Sequence, residues 1–159
     1  MRHRLFVYGT LRRGEVNHFR LDGAEWLGAH RTRPCFTLFL VGAYPGLTLG
    51  GSTPIVGEVY ALDSACLRRI DRLEDYPRLY DRRLIPTSHG RAWIYLYRGR
   101  LDGRAVIQGG DWSAFAADPD SPRAAGIRHL RDPKTQARRQ DRRTDPEIDT
   151  NPDFPTTDN

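Results

Sequence analysis

The sequence predicts an α+β fold: a small, mixed, mostly antiparallel β-barrel with one or two flanking helices. Several short stretches rich in β-branched and aromatic residues are separated by turn residues at close intervals, which is the pattern of a strand-dominated domain. One segment, Ala65 to Glu74, has helical periodicity behind an N-cap residue. The composition changes near Phe115, so one domain is expected over residues 1–115, followed by a polar tail over residues 116–159.

His3 to Tyr8 reads as a short apolar strand that runs into the loop Gly9 to Gly14. Glu15 to Leu21 suits a short helix ended by Asp22-Gly23. Cys35 to Val41 (CFTLFLV) is β-rich, with a turn expected at Tyr44-Pro45-Gly46. Ile55 to Leu62 is a second strong strand, and Asp63-Ser64 caps a helix that runs to about Glu74. Tyr76-Pro77 stops that helix, because a residue before proline is driven out of the helical region. Leu79 to Ile85 and Ala92 to Tyr97 are further strands joined at His89-Gly90, and Val106 to Gln108 is a candidate last one.

A chain of 159 residues supports one core and no second. It contains no apolar run near the ~18 residues of a membrane span, and no membrane partner is expected. The first strand's apolar run is too short for a signal-peptide core. Cys35 and Cys66 lack ligand spacing and need not pair, so a reducing, cytoplasmic location is expected. The net charge of +5 is carried almost wholly by arginine, with Lys134 the only lysine. Nucleic-acid binding is not expected, because the arginines alternate with acids and form no aromatic-interleaved stripe. The tail is split into a mostly basic stretch, Arg123 to Arg143, and an acidic one, Asp145 to Asp158; apart from a short helix at Pro122 to Leu130 it is expected to stay flexible.

The helix carries three acids in IDRLEDYP, and geometry separates them. On a wheel of ~100° per residue, Cys66, Leu67, Ile70 and Leu73 form one apolar stripe. Asp71 and Asp75 fall with Arg68 and Arg72 on the solvated side, as ordinary surface acids. Glu74 lies only ~50° from the stripe's centre and points inward. Burial and the negative end of the helix dipole both disfavour its anion and push its pKa up, toward the range of a group that takes and gives protons near neutrality. Two placements fit this geometry equally: an inward, titratable carboxyl, or a frayed last turn with Glu74 in solvent or paired with Arg82.

The second constellation is FVYGTLRRGE, Phe6 to Glu15. A strand entering Tyr-Gly-Thr-Leu makes a tight turn whose N–H groups can converge on an anion, with further help if a helix follows. It is not a nucleotide P-loop, because Glu15 stands where lysine is required. The five histidines have no ligand spacing, and Cys66 is most simply core. Trp93, Tyr95 and Tyr97 suit packing along a strand, and Asp111-Trp112 suits a structural closure. Neither a metal nor a cofactor is expected.

In combination, Val7-Tyr8-Gly9-Thr10-Leu11-Arg12-Arg13-Gly14 with Asn17 and His18, Tyr44-Pro45, Val56-Gly57-Glu58-Val59-Tyr60, Leu73-Glu74-Asp75-Tyr76-Pro77, Tyr80 with Arg82, and Gly110-Asp111-Trp112 resemble the γ-glutamylcyclotransferase-like family of small bacterial proteins. The resemblance covers residues 3 to 115 and departs at Asp75, where members often carry glycine. It implies a barrel-like fold with a pocket between the Tyr8–Leu11 loop and the helix end. It implies a γ-glutamyl amide substrate whose α-amine attacks its own side-chain carbonyl, closing 5-oxoproline and expelling an amine. Glu74 would then be the general acid/base. The backbone of Gly9, Thr10 and Leu11 would hold the α-carboxylate, Tyr8 and Tyr80 would be pocket hydroxyls, and Arg82 would be a charge partner. The alternative is a non-catalytic module of the same fold that binds a carboxylate-bearing metabolite.

Overall fold

The run Leu5-Phe6-Val7-Tyr8 lacks polar alternation because its strand lies at the centre of the sheet and is covered on both faces. The computed structural model describes residues 1–122. Its elements are β1 (Arg2–Val7), a 3-10 turn (His18–Leu21), β2 (Glu25–Arg31), β3 (Phe36–Val41), β4 (Tyr44–Leu49), β5 (Val56–Asp63), α1 (Ser64–Leu73), β6 (Tyr80–Ile85), β7 (Ala92–Tyr97) and α2 (Trp112–Ala117). Five strands form one sheet in the order β2-β5-β1-β7-β6, while β3 and β4 form a separate hairpin. Every pairing is antiparallel except β1 with β7, where Leu5 faces Trp93 across a parallel contact.

Alternate residues of β1 pack into two apolar clusters, one on each face of the sheet. Leu5 and Val7 pack with Tyr60 and Leu62 of β5 and with Cys66, Leu67 and Ile70 of α1. Phe6 packs on the opposite side with Leu38 and Leu47 of the hairpin, Ile94 of β7 and the fully buried Trp112 of α2. Burying a large apolar side chain contributes about 1.5–3 kcal/mol, so this double cover fixes the strand whose end carries the Tyr8–Leu11 loop.

The α+β class and the mostly antiparallel pairing are as expected, but the curled sheet does not close into a barrel. β2 and β6 are the two edges of the large sheet. Among the described residues, the hairpin gains only the isolated bridges Phe36–Thr53 and Phe39–Val106. Tyr44-Pro45-Gly46 is not a turn either: it begins β4, and the chain reverses one step earlier at Gly42-Ala43, where Gly42 takes φ 63°. Pro45 is tolerated because β4 has only β3 as a ladder partner, so its missing N–H breaks no central ladder. β2 gave no clear signal in the sequence. Gly28 interrupts it, its register shifts between Trp26 and Gly28, and most of its side chains are exposed or half-buried. The helix expected from Glu15 contracts to the 3-10 turn at His18–Leu21. The segment after Ala105 borrows from β3, with the Leu40 N–H donating to Ala105 O at 2.9 Å and Ile107 N–H to Leu38 O at 2.7 Å.

No helix among the described residues is long and apolar enough to cross a membrane. The helix expected at 122–130 lies, beyond Pro122, outside the described residues, as do both charged stretches of the tail and His129.

Candidate active site

The site begins with how α1 ends. The Asp63 carboxylate accepts the Cys66 N–H at 2.7 Å and starts the helix, whose buried stripe is Cys66, Leu67 and Ile70. At the other end Asp75 adopts the left-handed region, φ 52°. The Asp75 N–H donates to Arg72 O at 3.3 Å and the Tyr76 N–H to Asp71 O at 2.9 Å. These two bonds are the paired closure of a Schellman cap, and they leave Glu74 as the last helical-geometry residue, its N–H still bonded to Ile70 O at 2.9 Å. Position 75 therefore favours glycine on conformational grounds, and aspartate is among the few side chains that tolerate it. The last turn is capped, and Glu74 is half-buried.

Glu74 lines a cleft of about 420 Å³, counting its open mouth. Tyr8, Gly9, Thr10 and Leu11 from the end of β1 line the same cleft, with Tyr44 and Pro45 of β4, Tyr80 of β6 and Tyr95 of β7 completing the walls. The loop is organised so that its carbonyls are occupied. Gly9 O accepts the Arg12 N–H at 3.0 Å, Thr10 O accepts the Asn17 N–H at 2.9 Å, and Leu11 O lies 2.9 Å from His18 Nδ1. The N–H groups of Gly9, Thr10 and Leu11 take no part in these loop bonds. Asn17 Nδ2 also donates to Thr10 Oγ1 at 3.0 Å. No α-helix follows the loop directly, so no helix dipole is aimed at it. Gly9 is needed for close approach: a Cβ there would stand 2.5 Å from Pro45 Cγ.

Tyr8 and Tyr80, expected as pocket hydroxyls, both line the cleft. Tyr8 donates to Tyr95 O at 2.8 Å and Tyr80 to Pro45 O at 2.9 Å, so both hydroxyl protons are spent on main-chain oxygens of the cleft wall. Burial first, then the Glu74 carboxylate, push the Tyr8 phenol well above its ordinary value. Burial, then Tyr8 and Glu74, do the same to Tyr80. Burial, followed by the Asp71 hydrogen bond and charge, raises Tyr95. All three remain neutral phenols, and all three feel Glu74.

Two expectations change. Arg82 does not line the cleft. Its guanidinium donates from Nη1 to Asp71 Oδ1 at 3.0 Å and lies between the rings of Tyr76 and Trp93, at 4.6 and 4.7 Å. Asp71 is not an ordinary surface acid: its side chain is only 17% exposed, and it also accepts the Tyr95 hydroxyl at 2.7 Å. The wheel put Asp71 away from the stripe, but Arg82 of β6 and Tyr95 of β7 bond to its carboxylate there. Asp75 does face solvent, paired with Arg78.

The Asp111-Trp112 closure has a partner that sequence reasoning did not supply. Asp111 caps α2 by accepting the Ala114 N–H at 3.2 Å and receives Arg12 Nη1 at 2.8 Å. Glu58 accepts the Arg13 N–H at 3.0 Å and the Tyr60 hydroxyl at 2.8 Å, so the Tyr8–Gly14 loop is anchored from both sides. No local signal could have paired Arg12 with Asp111 across 99 positions. Among the described residues no group of three or more His, Cys, Asp or Glu side chains is placed to hold a metal ion.

The family model described as gamma-glutamyl cyclotransferase, AIG2-like, matches residues 5–114. A Vibrio cholerae protein that carries a gamma-glutamylcyclotransferase name is 46% identical over 112 residues, 70% of this chain and 96% of that one. The gamma-glutamylcyclotransferase family protein YtfP of Escherichia coli is 39% identical over 109 residues, covering 69% and 95%. The solution NMR structure of ytfP from that organism superposes with a TM-score of 0.59 at 38% identity, again covering 69% and 95%. The gamma-glutamylaminecyclotransferase of Mus musculus is 40% identical over 87 residues, 49% of this chain and 58% of its own length.

Proposed function

The chain belongs to the AIG2-like gamma-glutamyl cyclotransferase family, and on that premise we propose that it cyclises a γ-glutamyl amide to 5-oxoproline with release of an amine. The observation that carries this reading is that Glu74 and the Tyr8–Leu11 loop line one cleft. The N–H groups of Gly9, Thr10 and Leu11 take the substrate's α-carboxylate. Its α-ammonium then gives one proton to Glu74, and the freed lone pair attacks the γ-carbonyl carbon. As the ring C–N bond forms and the old amide C–N bond breaks, Glu74 returns its proton to the leaving nitrogen. The second proton shed by the ring nitrogen moves the same way, so the amine departs as an ammonium and charge is conserved.

So few groups suffice because the nucleophile is already in the substrate. An oriented intramolecular attack has an effective molarity of about 10⁵–10⁸ M, so the cleft has mainly to hold the attack conformer and move protons. Tyr8, Tyr80 and Tyr95 serve as neutral walls whose burial keeps Glu74 in low dielectric. Arg82 acts behind the wall, through Asp71. The substrate belongs to the γ-glutamyl amine class, in keeping with the mouse relative's name.

Incubation with a panel of γ-glutamyl amines, with 5-oxoproline measured by chromatography, tests the reading. Turnover is expected with at least one. Glu74→Gln keeps the side chain's shape but cannot shuttle protons, and should cost about 10²–10⁴-fold in kcat with little change in Tm. Full activity in that variant removes Glu74 from the mechanism.

A further inference from the structure

Asp71 stands one helical turn before Glu74 and is bonded in three directions. One carboxylate oxygen, Oδ1, accepts both the Tyr95 hydroxyl at 2.7 Å and Arg82 Nη1 at 3.0 Å. Its main-chain oxygen accepts the Tyr76 N–H at 2.9 Å, one of the two bonds that close the helix. The first partner lies on β7, the second on β6 and the third beyond the helix end, so one residue ties the last turn of α1 to the sheet and to its own cap.

These partners are themselves fixed. Tyr95 is a cleft wall whose main-chain oxygen accepts the Tyr8 hydroxyl at 2.8 Å, which continues the chain of contacts to the Tyr8–Leu11 loop. Arg82 is held between the Tyr76 and Trp93 rings, and its side chain is 16% exposed. Its buried Nε finds no hydrogen-bond partner among the described residues, and Asp71 is its only ion-pair partner among them. A half-buried guanidinium that lost this carboxylate would be an uncompensated charge, and it would move toward another anion or toward water. Glu74, three residues along the same helix, is the nearest acid in sequence on that turn.

We propose that Asp71 is a positioning residue which, by holding Tyr95 and Arg82 on one carboxylate oxygen while its main-chain oxygen closes the helix, sets where the Glu74 carboxyl stands in the cleft. The proposal rests on the reading of Glu74 as the proton carrier. It differs from a purely structural ion pair in what it requires of the variants: the loss falls on the chemical step rather than on folding or substrate capture. A displacement near 1 Å of a reacting group can cost about 100-fold in rate, so a turn left free to rotate has a measurable consequence.

The test uses Asp71→Asn, Tyr95→Phe and their double variant in the full chain, with two independent readouts. The first is steady-state 5-oxoproline release. Each single variant should lower kcat by about 10–100-fold and leave KM within about threefold, and the double should be no worse than the poorer single, because both break one contact. The second is the carboxyl ¹³C resonance of Glu74 in protein labelled with [δ-¹³C]glutamate, assigned by its disappearance in Glu74→Gln. It should move in both single variants while a melt shows each still folded; should Asp71→Asn fail to fold, Tyr95→Phe, which removes one hydroxyl, carries the same readout. Losses that multiply in the double, a KM that rises as much as kcat falls, or an unmoved Glu74 resonance would each overturn the proposal. If the wild-type protein turns over no γ-glutamyl amide, the functional reading fails on its own, and the Glu74 resonance still decides whether Asp71 positions that carboxyl.

Discussion

Gly9→Ala isolates a single steric cause, because Gly9 is not among the positive-φ residues and alanine is free to adopt its backbone conformation. The added Cβ would lie 2.5 Å from Pro45 Cγ and 3.3 Å from Pro45 Cδ. Ordinary carbon–carbon contact is about 3.5–4.0 Å, so the loop and β4 must separate by about 1 Å. Overpacking of that size costs about 1–3 kcal/mol, which for a domain of this length lowers Tm by roughly 3–15 °C. The same displacement moves the Gly9, Thr10 and Leu11 N–H groups away from the cleft wall opposite Glu74, and kcat/KM should fall by about 100-fold. Thermal melts and 5-oxoproline release measure the two effects separately. Pro45→Ala removes both clashing atoms and leaves only the Pro45 Cβ position, 3.9 Å away, so the Gly9→Ala/Pro45→Ala double variant should recover most of the lost stability. A Gly9→Ala protein within about 1 °C of wild-type Tm, or a double variant no more stable than the single, would refute the steric argument.

Two further outcomes follow from particular contacts. Asp75→Gly relieves a left-handed residue at the helix cap. The gain should exceed the added chain entropy of glycine and the loss of an exposed pair with Arg78, for a net stabilisation of about 0.5 kcal/mol, read as a higher urea midpoint at unchanged slope; a lower midpoint would contradict it. Burial tends to raise the Asp111 carboxyl, but the Arg12 hydrogen bond and the Ala114 N–H outweigh it and hold the group below its ordinary 3.8. A carboxyl lowered by folding stabilises fully above the unfolded value and loses that contribution as pH falls through its folded value. Wild-type stability should therefore drop below about pH 4 more steeply than that of Asp111→Asn, and parallel acid limbs in the two melting series would remove the contact from the account.

What could be read along the chain was local. The expected strands at β1, β3, β5, β6 and β7 agree with the structure to within one residue, because β-rich runs between turn residues mark them locally. The N-cap at Asp63 came from its residue type, and the inward tilt of Glu74 from helical periodicity, which is set by backbone geometry alone. The family pattern was legible as well, because its motifs fall in order along residues 3 to 115. β2 was illegible because its only warrant is pairing with β5, and a glycine-broken, half-exposed segment carries no periodic signal of its own.

By itself, then, the sequence determined which residues had to be buried, where the first helix starts, and that one of its three acids leans toward the core. Only tertiary structure decided the rest. Asp71 looked like surface on a wheel and became a hub because two strands from later in the chain pass beside the helix end. Arg82 looked like a partner for Glu74, and its Nη1 donates to Asp71 Oδ1 at 3.0 Å. Tyr8 and Tyr80 turned their hydroxyl protons to main-chain oxygens distant in sequence. The sheet is open because, among the described residues, β3 and β4 pair with each other and no strand bridges β2 and β6. Periodicity reports on one element at a time, whereas each of these outcomes depends on which polar group from another element arrives within about 3 Å, a distance no single segment encodes.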